Sequence, residues 1–322
     1  MTAATVPDLS RRTFLLGLAG AGLLTGCASG GDKDAESAKA AKGVVGLSVS
    51  SLANPFFMTL VDRAQDEAAR LGIRLKITDA QDDASRQASQ LQDLAVKGIG
   101  QLVVNPVDSD ALATPVKRLR ERGTKIVAID RRITDVQGVT CIASDNVRGG
   151  AIAAQALIKA LGGKGEVAVL QGVVATSSSR ERHKGFVAEL AKHPGMRVVA
   201  TQPAGFRRVE GLDVATNVLQ AHPHLNGIFA ENDEMALGAL QALGGRAGLG
   251  VKVVGFDGTR EAIEAVALGR MTATIGQDVA AMGTLALRAA VEAKGAPAAG
   301  STVDQAVVAI TRANARSLLA HA

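Results

Sequence analysis

The chain has 322 residues, 47% of them apolar, and a formal charge of +5. That length is too great for one simple core and suits two domains of ordinary size. Lysine and arginine are spread along the chain, aromatics make up only 2%, and Trp and Tyr are absent, so the basic stripe or stacking platform that a nucleic-acid partner needs is missing.

Residues 1–26 read as an export signal that is no part of the fold. Ser10-Arg11-Arg12-Thr13-Phe14-Leu15 is a twin-arginine signature, and the apolar run that follows ends at Leu24, too short to span a bilayer as a mature helix. Leu24-Thr25-Gly26-Cys27 resembles a bacterial lipobox, in which small residues admit the signal peptidase and the Cys27 thiol takes the diacylglycerol. Residues 27–42, rich in Gly, Ser, Ala, Lys and Asp, read as a flexible tether. Cleavage removes Arg11, Arg12 and Asp8, which leaves 34 basic against 30 acidic residues and a charge of +4. With Cys27 acylated, Cys141 has no partner in the chain; no disulfide is expected, and Cys141 reads as a small buried hydrophobe.

From Gly43 onward, short β-branched runs alternate with amphipathic segments. Val44–Val49 has the pattern of a buried strand, and Leu60, Ala64, Ala68 and Leu71 recur at helical spacing. Ile73–Thr78 reads as a strand, and Ala88, Leu91 and Ala95 mark a helix that stops at Gly98. Leu102–Val104 and Ile126–Ile129 continue the alternation, and Val167–Leu170, Val198–Ala200, Gly227–Ala230 and Val251–Phe256 repeat it in the second half. Such alternation predicts an α/β fold of two doubly wound, Rossmann-like parallel sheets with helices on both faces.

Doubly wound sheets bind ligands beyond the carboxyl ends of their strands. Those ends carry Ser50, Asn54, Phe56, Phe57, Asn105, Asp130 and Arg131 in the first half, and Arg182, Phe206, Asn232, Phe256 and Asp257 in the second. Carboxylates and amides accept from hydroxyls, Arg donates through several N–H groups, and flat rings cover C–H faces, so the set suits a small polyhydroxylated ligand. Taken singly, a strand-end Asn or Asp caps a helix, a Phe packs in a core and an Arg faces solvent. The residues alone leave the two readings open. Phe186 and Phe229 lie inside helix and strand patterns and read as core.

Six segments carry a resemblance: Asn54-Pro55-Phe56-Phe57, Asn105-Pro106-Val107-Asp108-Ser109-Asp110, Ile142-Ala143-Ser144-Asp145-Asn146, Arg180-Glu181-Arg182, Asn232-Asp233-Glu234-Met235-Ala236-Leu237-Gly238 and Val254-Gly255-Phe256-Asp257-Gly258-Thr259. They resemble the ribose-binding members of the type I periplasmic sugar-binding family, over about Val44 to Val308. The resemblance implies two lobes joined by three chain crossings, the first 43–144 plus 278–306 and the second 145–277 plus 307–322. It implies that the strand-end residues above, with Gln277 at the hinge, bind the sugar, Phe side chains sandwiching its ring while Asp, Arg and Asn take its hydroxyls. It further implies a monomeric ribose-binding component of an ABC importer that closes on its sugar and docks on a permease driven by an ATPase, with no cofactor and no catalysis; the export signal and lipobox depart from the freely soluble periplasmic form and point to a membrane tether through lipid alone. Glu231 departs from the Gln that the family pattern leads one to expect.

Allose, galactose, xylose and a furanosyl signal are bound by relatives on similar scaffolds. The absence of Trp and of a calcium-loop signature separates the chain from the galactose type. A LacI-type regulator would carry a helix-turn-helix where the export signal stands. A Rossmann oxidoreductase needs G-x-G-x-x-G after the first strand, where Ser50-Ser51-Leu52-Ala53-Asn54-Pro55 has no glycine.

Overall fold

A computed structural model describes residues 43–320. The export signal, the tether and Cys27 lie outside the described residues. The first half contains β1 (Val44–Val49), α1 (Pro55–Leu71), β2 (Arg74–Asp79), α2 (Ala84–Val96), β3 (Gln101–Val104), α3 (Ala113–Glu121), β4 (Lys125–Ile129) and β5 (Thr140–Ser144). The second contains α4 (Asn146–Ala160), β6 (Gly165–Gln171), α5 (Ser177–Leu190), β7 (Met196–Pro203), α6 (Arg208–Ala221), β8 (Gly227–Ala230), α7 (Asp233–Leu243), β9 (Lys252–Asp257), α8 (Arg260–Ala267) and β10 (Ala273–Gly276). The chain ends with α9 (Val279–Val291), β11 (Thr302–Gln305), β12 (Val308–Thr311) and α10 (Arg312–Ala320).

Local chemistry explains where the elements start and stop. Asn54 caps α1 by accepting from the Phe56 N–H, and Pro55, which has no N–H to leave unpaired, is the first helical residue. Gly72 ends the helix in the left-handed conformation, φ 68°. The apolar face of α1 (Leu60, Ala64, Ala68) packs with Met282, Ala286 and Leu287 of α9 over β1. Leu71, at the helix end, is only half-buried.

The strands form two six-stranded sheets, β11-β5-β4-β3-β1-β2 and β12-β10-β9-β8-β6-β7. Each is built from an α/β lobe with helices on both faces. All pairings are parallel except one: β12 runs antiparallel to β10. An all-parallel second sheet is therefore corrected, and the hinge gives the reason. Both β10 and β11 end there, so a strand entering the second sheet straight from β11 must run against β10. Strands also form at Thr140–Ser144 and Ala273–Gly276, where no strand is expected from the sequence pattern, and two short ones flank Val307.

The chain passes between the sheets three times, from β5 to α4, from β10 to α9 and from β11 to β12. Asp145 N–H donates to Gln305 O at 2.8 Å, and Ser144 Oγ to Gln277 Oε1 at 2.7 Å, so the crossings are stitched to one another.

Helices α4 and α5 lie backbone against backbone. A Cβ on Gly150 would sit 2.0 Å from Arg182 O, and one on Gly185 1.8 Å from Val147 O. Only glycine permits that approach. Phe186 and Phe229 are fully buried and stacked 4.5 Å apart, and Cys141 is buried as a free thiol, its pKa pushed up to about 12 by burial.

Candidate functional site

The carboxyl ends of both sheets face one narrow cavity, with about 10 Å³ of free volume between the side chains that line it. From the first half, Asn54, Phe56, Phe57, Asp130 and Arg131 line it; from the second, Arg182, Phe206, Asn232 and Asp257, with Gln277 at the hinge. Ser50, Asn105 and Phe256 stand behind this lining.

Asn105 organises the first side. It accepts from the Ser50 N–H at 3.1 Å and donates to Asp130 Oδ2 at 2.9 Å. Burial raises the Asp130 pKa, opposed by Arg131, Arg182 and the Asn105 bond. Arg131 is buried, donates to Pro106 O at 2.9 Å and has its Nε 3.4 Å from Asp130 Oδ2. Its guanidinium lies between the rings of Phe57 and Phe206, 5.3 and 5.2 Å from their centroids. Burial lowers its pKa. Ser50 Oγ and Arg131 Nε are buried and make no hydrogen bond among the described residues. Buried polar atoms are normally paired, and these two depart from that rule.

Arg182, on α5, is held more fully. Its Nε donates to Asn146 Oδ1 at 2.8 Å and its Nη1 to Glu231 O at 2.6 Å; its guanidinium lies 3.7 Å over the Phe256 ring and 3.6 Å from Asp257 Oδ1. Asp257 accepts from Gln277 Nε2 at 2.7 Å, which links the cavity to the hinge bond with Ser144. Burial pushes the Asp257 pKa well up, against the pull of Arg182. Asn232 caps α7 by accepting from Met235 N–H at 3.0 Å, and its amide donates to Phe206 O at 3.1 Å. Its capping role and its place on the cavity wall coexist.

Three of the cavity residues have left-handed backbone: Asp130 (φ 65°), Phe206 (φ 63°) and Asp257 (φ 123°). Such conformations cost about 1–3 kcal/mol each and cluster where function demands a particular aim.

The two halves touch beyond the cavity. Arg180 of α5 forms a forked pair with Asp110 (2.9 and 3.2 Å), Arg132 bonds Glu181 at 3.0 Å, and Ser177 N–H donates to Ser109 Oγ at 3.0 Å. The lobes are therefore drawn together over the cavity.

The sequence reading does not single out Ser178, which also lines the cavity, or Asn146, which orients Arg182. Ser178 is one of three consecutive serines at the start of α5, where a cap is the ordinary reading. The Asn146 contact is tertiary, with no local signal. Among the described residues no group of side chains could hold a metal ion, and no helix is long and apolar enough to cross a membrane.

The chain matches the periplasmic binding protein domain over residues 45–297. It is 45% identical over 237 residues to the ribose import binding protein RbsB of Escherichia coli, spanning 74% of this chain and 80% of that one. It is 34% identical over 258 residues to the D-allose-binding periplasmic protein of Escherichia coli, covering 76% and 83%. Among solved structures, the Caulobacter myo-inositol binding protein bound to myo-inositol superposes with a TM-score of 0.81 at 35% identity, covering 87% of this chain and 97% of that one.

Proposed function

The chain belongs to the periplasmic binding protein family, and we propose that it is the extracytoplasmic component of an ABC importer that captures ribose between its lobes and delivers it to a membrane permease. The observation that carries the reading is the pair of buried arginines, one from each lobe, set with Phe56, Phe57 and Phe206 around a small cavity. Guanidinium groups supply donors in fixed directions, buried carboxylates accept from hydroxyls, and rings cover the C–H faces. The resemblance to ribose import proteins at 45% identity supports ribose over other sugars. Sugar would bind the open form and stabilise the closed one, because only closure brings both arginines to it.

A hexose or cyclitol is the second reading. It is favoured by a cleft of about 410 Å³ that adjoins the cavity and shares Asn54, Phe57, Arg131 and Phe206 with it. Calorimetry of the purified chain against pentoses, hexoses and inositols tests both. Tightest binding of ribose supports the first reading, tightest binding of allose or myo-inositol the second, and no heat with any of them overturns both.

Twin-arginine export and acylation of Cys27 belong to the same proposal, supported by the order of arginine pair, apolar run and Leu-x-Gly-Cys. Cys27→Ala should shift the protein from the membrane to the soluble fraction with ribose binding unchanged. Wild-type protein that fractionates as soluble with a free Cys27 thiol would remove the anchor.

A further inference from the structure

Helix α5 opens with three consecutive serines, and each has a different set of partners. Ser177 is engaged with the first lobe: its N–H donates to Ser109 Oγ at 3.0 Å, and its Oγ accepts from Arg132 N–H at 2.8 Å. Ser179 is engaged within its own lobe: its N–H donates to Thr176 Oγ1 at 3.3 Å and its hydroxyl to Glu231. Ser178 lines the cavity, is buried, and is the one Ser or Thr among the described residues that line it.

The direction of the Ser178 hydroxyl follows from its neighbour. Thr176 Oγ1 donates to Val173 O at 2.7 Å, so its proton is taken, and Ser178 Oγ, 3.3 Å from Thr176 Oγ1, is the donor of that pair. A hydroxyl has one proton and two lone pairs. With the proton turned to Thr176, Ser178 keeps both lone pairs for the cavity. The amide oxygens on the same wall are already engaged: those of Asn54, Asn232 and Gln277 accept from Phe56 N–H, Met235 N–H and Ser144 Oγ. One helical turn on from Ser178, Arg182 has a donor to spare. Its Nε and Nη1 are held by Asn146 and the Glu231 carbonyl, while its Nη2 makes no hydrogen bond among the described residues. Residues four apart lie on one face of a helix, and the close glycine contacts between α4 and α5 hold that face in place.

We infer that Ser178 is a specificity-determining residue of the cavity: its oxygen accepts from one hydroxyl of the ligand, and that hydroxyl in turn accepts from Arg182, so the protein selects sugars in which it is free over their deoxy and O-methyl counterparts. The inference rests on the sugar-site reading above and deepens it. A sugar hydroxyl donates and accepts at once, which neither a C–H group nor an ether oxygen can do. A deoxy sugar leaves both Ser178 Oγ and Arg182 Nη2 without a partner in a buried site, and an unmade bond to a buried group costs more than a made one contributes. An O-methyl sugar satisfies Arg182 alone and brings a methyl group into a narrow cavity.

The test is calorimetry of the full chain, wild type and Ser178→Ala, with ribose and with the set of its monodeoxy derivatives, one lacking each hydroxyl in turn. The variant should bind ribose about tenfold more weakly than wild type does. It should lose as much with every derivative except the one without the hydroxyl that faces Ser178, which both proteins should bind within about twofold of each other. Equal losses across the whole set would make Ser178 a packing residue and overturn the inference, and so would an undiminished affinity for ribose. Ser178→Cys fills nearly the same space with an atom that accepts only weakly, and must show the same exception. It also serves should thermal melts of the sugar-free chain show that Ser178→Ala fails to fold. Wild type that binds none of these compounds would overturn the sugar-site reading and this inference with it.

Discussion

The two arginines that face the cavity are held in different ways. Arg182 is fixed within its own lobe: by Asn146, by the carbonyl of Glu231, by the ring of Phe256 beneath it and by Asp257 beside it. Arg131 has one hydrogen bond, to Pro106 O, and half of its aromatic bracket is Phe206, from the opposite lobe. The second lobe thus holds its arginine with its own residues, while the first, besides Asp130 and Phe57, shares the holding of Arg131 with Phe206 of the second. Preorganisation lowers what binding must spend on ordering side chains, so on the proposed function Arg182 should contribute more to affinity than Arg131.

The comparison is broken most decisively at Arg182. Arg182→Ala should weaken ribose binding by about 2–4 kcal/mol, roughly 30- to 1,000-fold, because it removes charged donors and strands Asp257 in a buried site. It should also lower the melting temperature of the sugar-free protein by more than Arg131→Ala does. Equal losses for both variants in thermal melts would mean that the lobes are built alike.

Phe206→Ala sharpens the contrast from the other side. It removes a ring that brackets Arg131 without stranding a polar group, and should cost about 1–3 kcal/mol of ribose affinity by calorimetry. A loss as large as that of Arg182→Ala would show that Arg131 depends wholly on its bracket.

Stability should follow pH through Glu231. Its folded-state pKa, about 7, lies above the ordinary 4.5, so the folded chain holds the proton more tightly than the unfolded one. The resulting stabilisation is whole below pH 4.5 and is lost as pH rises to about 7. Denaturant melts of the sugar-free chain should show that decline, and Glu231→Gln should lessen it without abolishing it, because burial also pushes Asp233 up to about 7; an unchanged slope in the variant would assign the effect elsewhere.

A smaller effect is expected at the contact between lobes. Arg180 and Asp110 are about half-exposed, 41% and 55%, and exposed pairs contribute about 0–1 kcal/mol. Asp110→Asn should therefore reduce affinity less than about fivefold, and less again in high salt. Arg260→Ala and Arg312→Ala, outside the cavity, should bind ribose as wild type does.

The sequence announced its regular elements well and its tertiary contacts poorly. Val44–Val49 alternated with a helix whose Asn54-Pro55 start is a local signal, and both stand where that signal puts them. The reversal of β12 has no such signal, because it depends on where the chain re-enters the sheet. The same holds at the cavity. Arg182 could be picked out by resemblance, but its bond to Asn146, 36 residues away, is made by helix packing that no local pattern records.

The glycine contact between α4 and α5 bears on how this protein can change its ligand over generations. Gly150 abuts the carbonyl of Arg182 itself, so the floor beneath that arginine admits no side chain. Mutational drift toward a new specificity is therefore channelled to the walls, such as Phe57, Phe206 and Ser178, whose replacement changes the cavity's outline, while Gly150 and Gly185 stay frozen. A randomised library that includes either glycine would return unfolded chains at those positions and altered selectivity only at the others.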